Sequence, residues 1–86
     1  MAESATAITD PSTATDTAVA QLTTSLARAL RHLGDLGEPT TAARIAAEAY
    51  SALRRDHAQA AERLNQVMHY LARLEEAGQD GKAATR

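Results

Sequence analysis

Apolar side chains recur every three or four residues along much of the chain, a spacing that places them on one face of an α-helix. In the first such segment, the repeat predicts a helix that begins at Asp16, a favourable N-cap residue, and ends near Leu33 or Leu36. The predicted buried stripe of this helix consists of Val19, Leu22, Leu26, Ala29, Leu33 and Leu36, with Leu30 beside it.

Residues 34–39 interrupt this pattern and predict a turn. Pro39 disfavours helical geometry at Glu38 and suits the first turn of a new helix, so a second helix is predicted to begin near Pro39 or Thr40. The predicted buried face of the second helix consists of Ala42, Ile45, Ala46, Ala49, Tyr50 and Leu53. That of the third consists of Ala60, Leu64, Val67, Leu71 and Leu74, flanked by Ala61 and Met68.

The join between the second and third helices, at residues 54–57, has two interpretations. Asp56 is a good N-cap, and Gln59 completes a pattern close to a capping box, which indicates a break. However, one heptad frame runs through His57 from Ala43 to Leu74, which would permit a single helix of about 37 residues that needs a partner to cover it. We predict the break, because a three-helix monomer buries more of its own surface.

Composition supports an all-α fold. The 86 residues allow one domain, Phe and Trp are absent, and Ala and Leu supply most of the apolar surface, which favours helices over strands. We predict a small three-helix antiparallel bundle over residues 16–77. Residues 1–15 and 78–86 carry too little apolar surface to form structure and are predicted to be disordered tails, with Gly78 as the stop of the third helix.

Several classes of function are disfavoured by the composition. The absence of cysteine excludes disulfides and thiolate metal sites, and the net charge of −2 is wrong for a dedicated nucleic-acid binder. No apolar run approaches the roughly 20 residues that span a bilayer, and the first residues lack the pattern of a signal or transit peptide. The sequence therefore predicts a cytoplasmic protein that does not bind membranes.

No catalytic, cofactor-binding or metal site is predicted. No two of His32, His57 and His69 have the spacing of three or four residues that a metal site on a helix needs, and no hydroxyl is expected beside a histidine. His57 falls on the apolar stripe at the predicted joint. If it is buried there, its protonation is expected to weaken the junction below about pH 6.

Residues 26–49 resemble one tetratricopeptide (TPR) repeat, which is a helical hairpin. His57 follows Thr23 by about 34 residues, the length of one repeat, so the resemblance implies one hairpin followed by a capping helix. The sequence departs from the family pattern at Leu30, where a small residue is usual, and at Arg54, where a proline is usual. An ordinary antiparallel bundle explains the same residues. The residues that match the repeat are Leu26, Gly37, Ala42, Ala46 and Ala49.

Residues 72–78, ARLEEAG, resemble the end of the recognition helix in winged helix-turn-helix regulators, which implies DNA binding. No alternating apolar pattern follows Gly78 to form the wing strands, and Glu62, Glu75 and Glu76 offset the charges of Arg63 and Arg73. We therefore keep a DNA-binding or transcription-accessory protein as the alternative function.

The leading hypothesis is a helical module that binds another protein or a second copy of itself. A groove between the alanine-rich second helix and the third helix is the predicted docking site for a partner helix. Arg28, Arg31 and His32 are expected to gather with Arg54 and Arg55 at one end of the bundle, facing an acidic partner. The predicted partner-binding residues are Tyr50, Met68, Tyr70, Arg54 and Arg55.

Overall fold

The computed structural model describes the backbone of residues 11–84 and the side chains of residues 13–78. It contains helix α1 (Pro11–Asp35), helix α2 (Pro39–Leu53) and helix α3 (Ala58–Ala84), and no strand within that range. The predicted all-α, three-helix fold is confirmed.

The helices run up, down and up, so α2 is antiparallel to its two neighbours and α1 is parallel to α3. At one end of the bundle, Asp16 of α1 lies 3.5 Å (Oδ1 to Nδ1) from His57, just before α3. Further along, the hydroxyl of Tyr70 on α3 donates a hydrogen bond of 2.5 Å to Oδ1 of Asp35 on α1. The first turn of α2 is tied to the same region of α3 by a hydrogen bond from Thr40 to Glu75.

The core is formed where the three helices meet, and many of its side chains are small. Ala42 and Ala46 of α2 are fully buried, which lets the neighbouring helices approach closely. The larger side chains come mostly from α3. The buried hydrophobic residues are Ala27, Leu30, Ala42, Ala46, Ala61, Leu64, Val67 and Leu71.

The predicted buried stripe of α1 is wrong. Leu22 and Leu36, two of its members, are 70% and 69% exposed, whereas Leu30, predicted to lie beside the stripe, is 3% exposed. Small side chains occupy much of the face of α1 that meets the core, because a stripe of leucines there would hold the helices further apart. The buried residues of α1 are Thr23, Ala27, Leu30 and Gly34, which step by four, three and four.

Two glycines shape the end of α1, one by allowing its close approach to α3 and the other by allowing the turn into α2. A methyl group at Gly34 would collide with Cδ2 of Leu71 and lie 3.1 Å from Cδ1 of Leu74, so α1 and α3 approach too closely here for a side chain. Gly37 has a φ of 103°, which is unfavourable for any residue with a Cβ, and it reverses the chain before Pro39.

The predicted break between the second and third helices is confirmed. Helix α2 ends at Leu53, residues 54–56 form a turn, and α3 begins at Ala58. The carbonyl of His57 accepts the hydrogen bond from Ala61 N–H at 2.9 Å, so the helix begins one residue later than the predicted cap at Asp56 implies.

His57 is not buried as the sequence hypothesis required. Its side chain is 25% exposed and its Nδ1 faces the carboxylate of Asp16. A proton on His57 would therefore place a positive charge beside a negative one, and the predicted weakening of the junction at acid pH does not follow.

Two helix ends also differ from prediction. Helix α1 begins at Pro11 instead of Asp16, which is consistent with the tolerance of proline in a first helical turn. Helix α3 continues through Gly78 to Ala84, so Gly78 does not stop it. Residues 11–15 and 78–84 of the predicted tails are thus helical, while residues 1–10, 85 and 86 lie outside the described range.

Candidate functional site

An apolar strip on α1 is the most prominent exposed feature of the described surface. It consists of Leu22 and Leu36, which are largely exposed, together with Leu26 and Leu33, which are half-buried. We call these four residues the leucine edge. At about 100° per residue, the three within the helix lie on one flank of α1. The N–H of Leu36 donates to the carbonyl of His32 at 3.0 Å, so this residue continues the helical spiral.

The charged side chains in the described part of α1 lie away from the leucine edge. Asp16, Arg28, Arg31 and Asp35 fall on the opposite half of the helix by the same geometry. Asp35 and Arg31 face α3, where they contact Tyr70. The leucine edge therefore contains no charged residue along its length.

Ile45 is the exposed large apolar residue of α2, at 37%. Thr40, which contacts α3 through Glu75, lies well round the helix from Ile45. Ile45 consequently lies on a different flank of α2 from the residue that contacts Glu75.

The structure separates the five predicted partner-binding residues. Tyr50, Met68 and Tyr70 are half-buried and pack against the core, whereas Arg54 and Arg55 are exposed in the turn between α2 and α3. Tyr70 is engaged within the fold, since its hydroxyl binds Asp35 and its ring lies 5.6 Å from Cζ of Arg31. Binding of a partner through these residues stays a prediction.

The predicted groove between the second and third helices is filled by the chain itself. Ala42 and Ala46, predicted to lie on the buried face of the second helix, are completely buried in one core cluster with Leu64, Val67 and Leu71. The small residues of α2 serve the internal packing of the bundle and leave no seam open for a partner helix at that position.

The predicted basic cluster forms differently from expectation. Arg28, Arg31 and His32 line a cleft between α1 and α3, and Arg63 of α3 joins them. Arg54 and Arg55 lie in the turn at the other end of the bundle. On the alternative hypothesis of DNA binding, Arg63 and Arg73 share one helix, but Arg73 is not among the residues of this cleft. In an up-down-up bundle the first and third helices are parallel, which brings Arg63 level with Arg28. This topology is the signal in the sequence prediction from which the cleft could have been found.

The contact between Tyr70 and Asp35 affects the ionisation of the phenol. The hydrogen bond to Asp35 raises the pKa of Tyr70 above its ordinary value of 10.0, with smaller contributions from desolvation and the charge of Asp35, while Arg31 acts in the opposite direction. Within the described residues, no three His, Asp or Glu side chains are grouped as metal ligands would be.

Among residues 11–84, no helix combines the length and the apolar character that crossing a bilayer requires. Comparison with protein families, with curated proteins and with solved structures gives no match to this chain.

Proposed function

We propose that the protein is a small helical interaction module that associates with a second copy of itself through the leucine edge of α1. The observation that carries this proposal is the exposure of Leu22 and Leu36, at 70% and 69%, on a flank of α1 that has no charged residue. Large apolar side chains in an uncharged strip are a feature of interaction sites on small domains.

A second copy fits the edge because the edge is complementary to itself. The apolar positions of α1, from Val19 to Leu36, alternate steps of three and four residues, which is the seam of a two-stranded coiled coil. The positions flanking this seam on its outer side are Ala18, Ser25 and His32, so two edges brought together place no acidic or permanently cationic groups opposite each other.

The size of the edge predicts weak association. Burial of one exposed leucine contributes about 1.5–3 kcal/mol, and two copies bring four such residues together. The loss of translational and rotational freedom opposes this by roughly 4–15 kcal/mol. The gain exceeds this cost by about 8 kcal/mol at most, so we expect a dissociation constant of about 1 µM or weaker.

Sedimentation velocity over a range of protein concentrations tests the proposal. The mass of the wild-type chain is expected to rise from monomer towards dimer, and a Leu22→Gln/Leu36→Gln variant is expected to stay monomeric. An Ala47→Gln/Ala72→Gln variant, which changes two exposed residues of α2 and α3, is the matched control and is expected to associate like the wild type. A wild-type chain that is monomeric at about 1 mM would contradict the proposal.

A further inference from the structure

The cleft between α1 and α3 has the size and charge of a small anion site. Its volume is about 400 Å³, at the lower end of the range of roughly 300–1,000 Å³ typical of ligand sites. Arg28 and Arg31 border it on α1, and Arg63 borders it on α3. His32 also lines the cleft. We call this feature the basic cleft.

The charge of the basic cleft opposes that of the whole chain. Three arginines and one acid, Asp35, give it a formal charge of +2, whereas the chain carries −2. Among the described residues, none of the three arginines takes part in an ion pair. The acid is already occupied in part, because Asp35 accepts the hydrogen bond of Tyr70. The guanidinium groups thus keep donors available for a ligand.

The chemistry of the lining indicates the kind of anion. Arginine presents a planar fork of N–H donors that binds phosphate and carboxylate oxygens in pairs. Three such groups from two helices suit a ligand with several negative charges close together. Ala27 is the one hydrophobic residue of the lining, so the cleft has no large apolar side chain with which to recognise a large apolar body.

We propose that the basic cleft binds a small anion that carries two or more linked phosphate groups. Arg28 and Arg63 hold it from opposite sides. Arg31, whose guanidinium also lies over the ring of Tyr70, is positioned for a third contact. Inorganic oligophosphate and the phosphate chain of a nucleotide share this chemistry. Arg28 and Arg31 lie on the half of α1 away from the leucine edge, so their contacts with the anion are separate from the proposed self-association, and His32 borders both features.

Titration calorimetry of the full chain at low salt, with tripolyphosphate as the ligand, tests this inference. Binding is expected for the wild type. An Arg28→Gln/Arg63→Gln variant is expected to bind at least about tenfold more weakly. An Arg44→Gln/Arg73→Gln variant removes the same charge from exposed positions outside the cleft, and its affinity is expected to stay within about twofold. Circular dichroism of both variants verifies that the fold is retained.

Further ligands distinguish the sources of the phosphate. Binding of ATP but not of tripolyphosphate or adenosine would assign the site to nucleotides, and equal binding of ATP and tripolyphosphate would assign it to the phosphate chain alone. No binding of either ligand by the wild type would overturn the inference. Equal weakening of tripolyphosphate binding in the two variants would also overturn it. Binding of a DNA duplex but of neither small ligand would overturn it as well and would favour a nucleic-acid surface.

Discussion

Leu30 and Leu22 are two turns apart on α1 but have opposite environments, and their substitution by alanine tests which face of the helix is buried. Leu30→Ala is expected to lower the free energy of unfolding by about 2–5 kcal/mol, because it leaves a cavity in the core. Leu22→Ala, at an exposed position, is expected to change it by at most about 0.5 kcal/mol. Urea unfolding followed by circular dichroism at low protein concentration measures both, and a larger effect at Leu22 would contradict the packing described.

Gly34 and Gly78 are both helical, and they form a second matched pair. Alanine at either position is favoured over glycine by about 1 kcal/mol in a helix. At Gly34 the new methyl group meets Leu71, which is fully buried and has little room to move, and overpacking of this kind costs about 1–3 kcal/mol. We expect Gly34→Ala to destabilise the protein by about 1 kcal/mol.

Gly78→Ala is the control, since nothing lies within 4 Å of a methyl group there. It is expected to stabilise the protein by about 0.5–1 kcal/mol. Thermal unfolding of the two variants and the wild type shows whether each substitution raises or lowers the stability of the protein. A stabilising Gly34→Ala would show that α1 and α3 are further apart than the structure has them.

At this scale the sequence predicted α3 well and α1 poorly. Leu64, Val67 and Leu71 lie in the core as their spacing indicates. In α1 the leucines also have helical spacing, but a close approach to α3 at Gly34 selects the neighbouring face. The spacing of apolar residues identifies a stripe on one helix. The distance between two packed helices depends on the side chains of both, so spacing alone does not show which face of α1 is buried.

The contact between Tyr70 and Asp35 links α1 to α3 and makes the stability of that link depend on pH. The phenol is expected to titrate above 10.0, measured by phenolate absorbance in a Tyr50→Phe background. Because the folded-state pKa is raised, the stabilisation is complete below the unfolded-state pKa and is lost as the pH rises through the folded-state pKa. Asp35→Asn is expected to return the pKa towards its ordinary value. A Tyr70 that titrates at or below 10.0 would show that the hydrogen bond is absent in solution.

The order and number of helices followed from the sequence, whereas their ends followed only in part. Pro39 fixed the start of α2, and the break after Leu53 was correctly preferred over one long helix. Gly78 was expected to end α3, but a single glycine costs a helix only about 1 kcal/mol, and no proline follows. The resemblance of the first two helices to a TPR hairpin stays a prediction.

For the whole molecule, association through the leucine edge would couple stability to concentration. A chain that dimerises only when folded has a midpoint of thermal unfolding that rises with protein concentration. We expect this rise for the wild type and not for the Leu22→Gln/Leu36→Gln variant. Calorimetry at several concentrations measures it, and a constant wild-type midpoint would argue against a folded dimer.

The basic cleft could not be predicted in full from the sequence, because its arginines come from two helices. The sequence predicts that Arg28 and Arg31 belong to one basic cluster. Arg63 lies on another helix, and its position relative to them depends on how far α3 is shifted along α1. That shift brings Asp16 beside His57 and Asp35 beside Tyr70, contacts between residues far apart in the sequence. The spacing of residues along one helix carries no information about either of these two contacts.

Among the described residues, three of the four large side chains in the core, Leu64, Val67 and Leu71, come from the last helix, and Leu30 is the fourth. A nascent chain that has released only α1 and α2 from the ribosome therefore has almost no core to form. Folding must wait until most of α3 has been translated, so α1 and α2 are expected to remain open to chaperones and proteases until then.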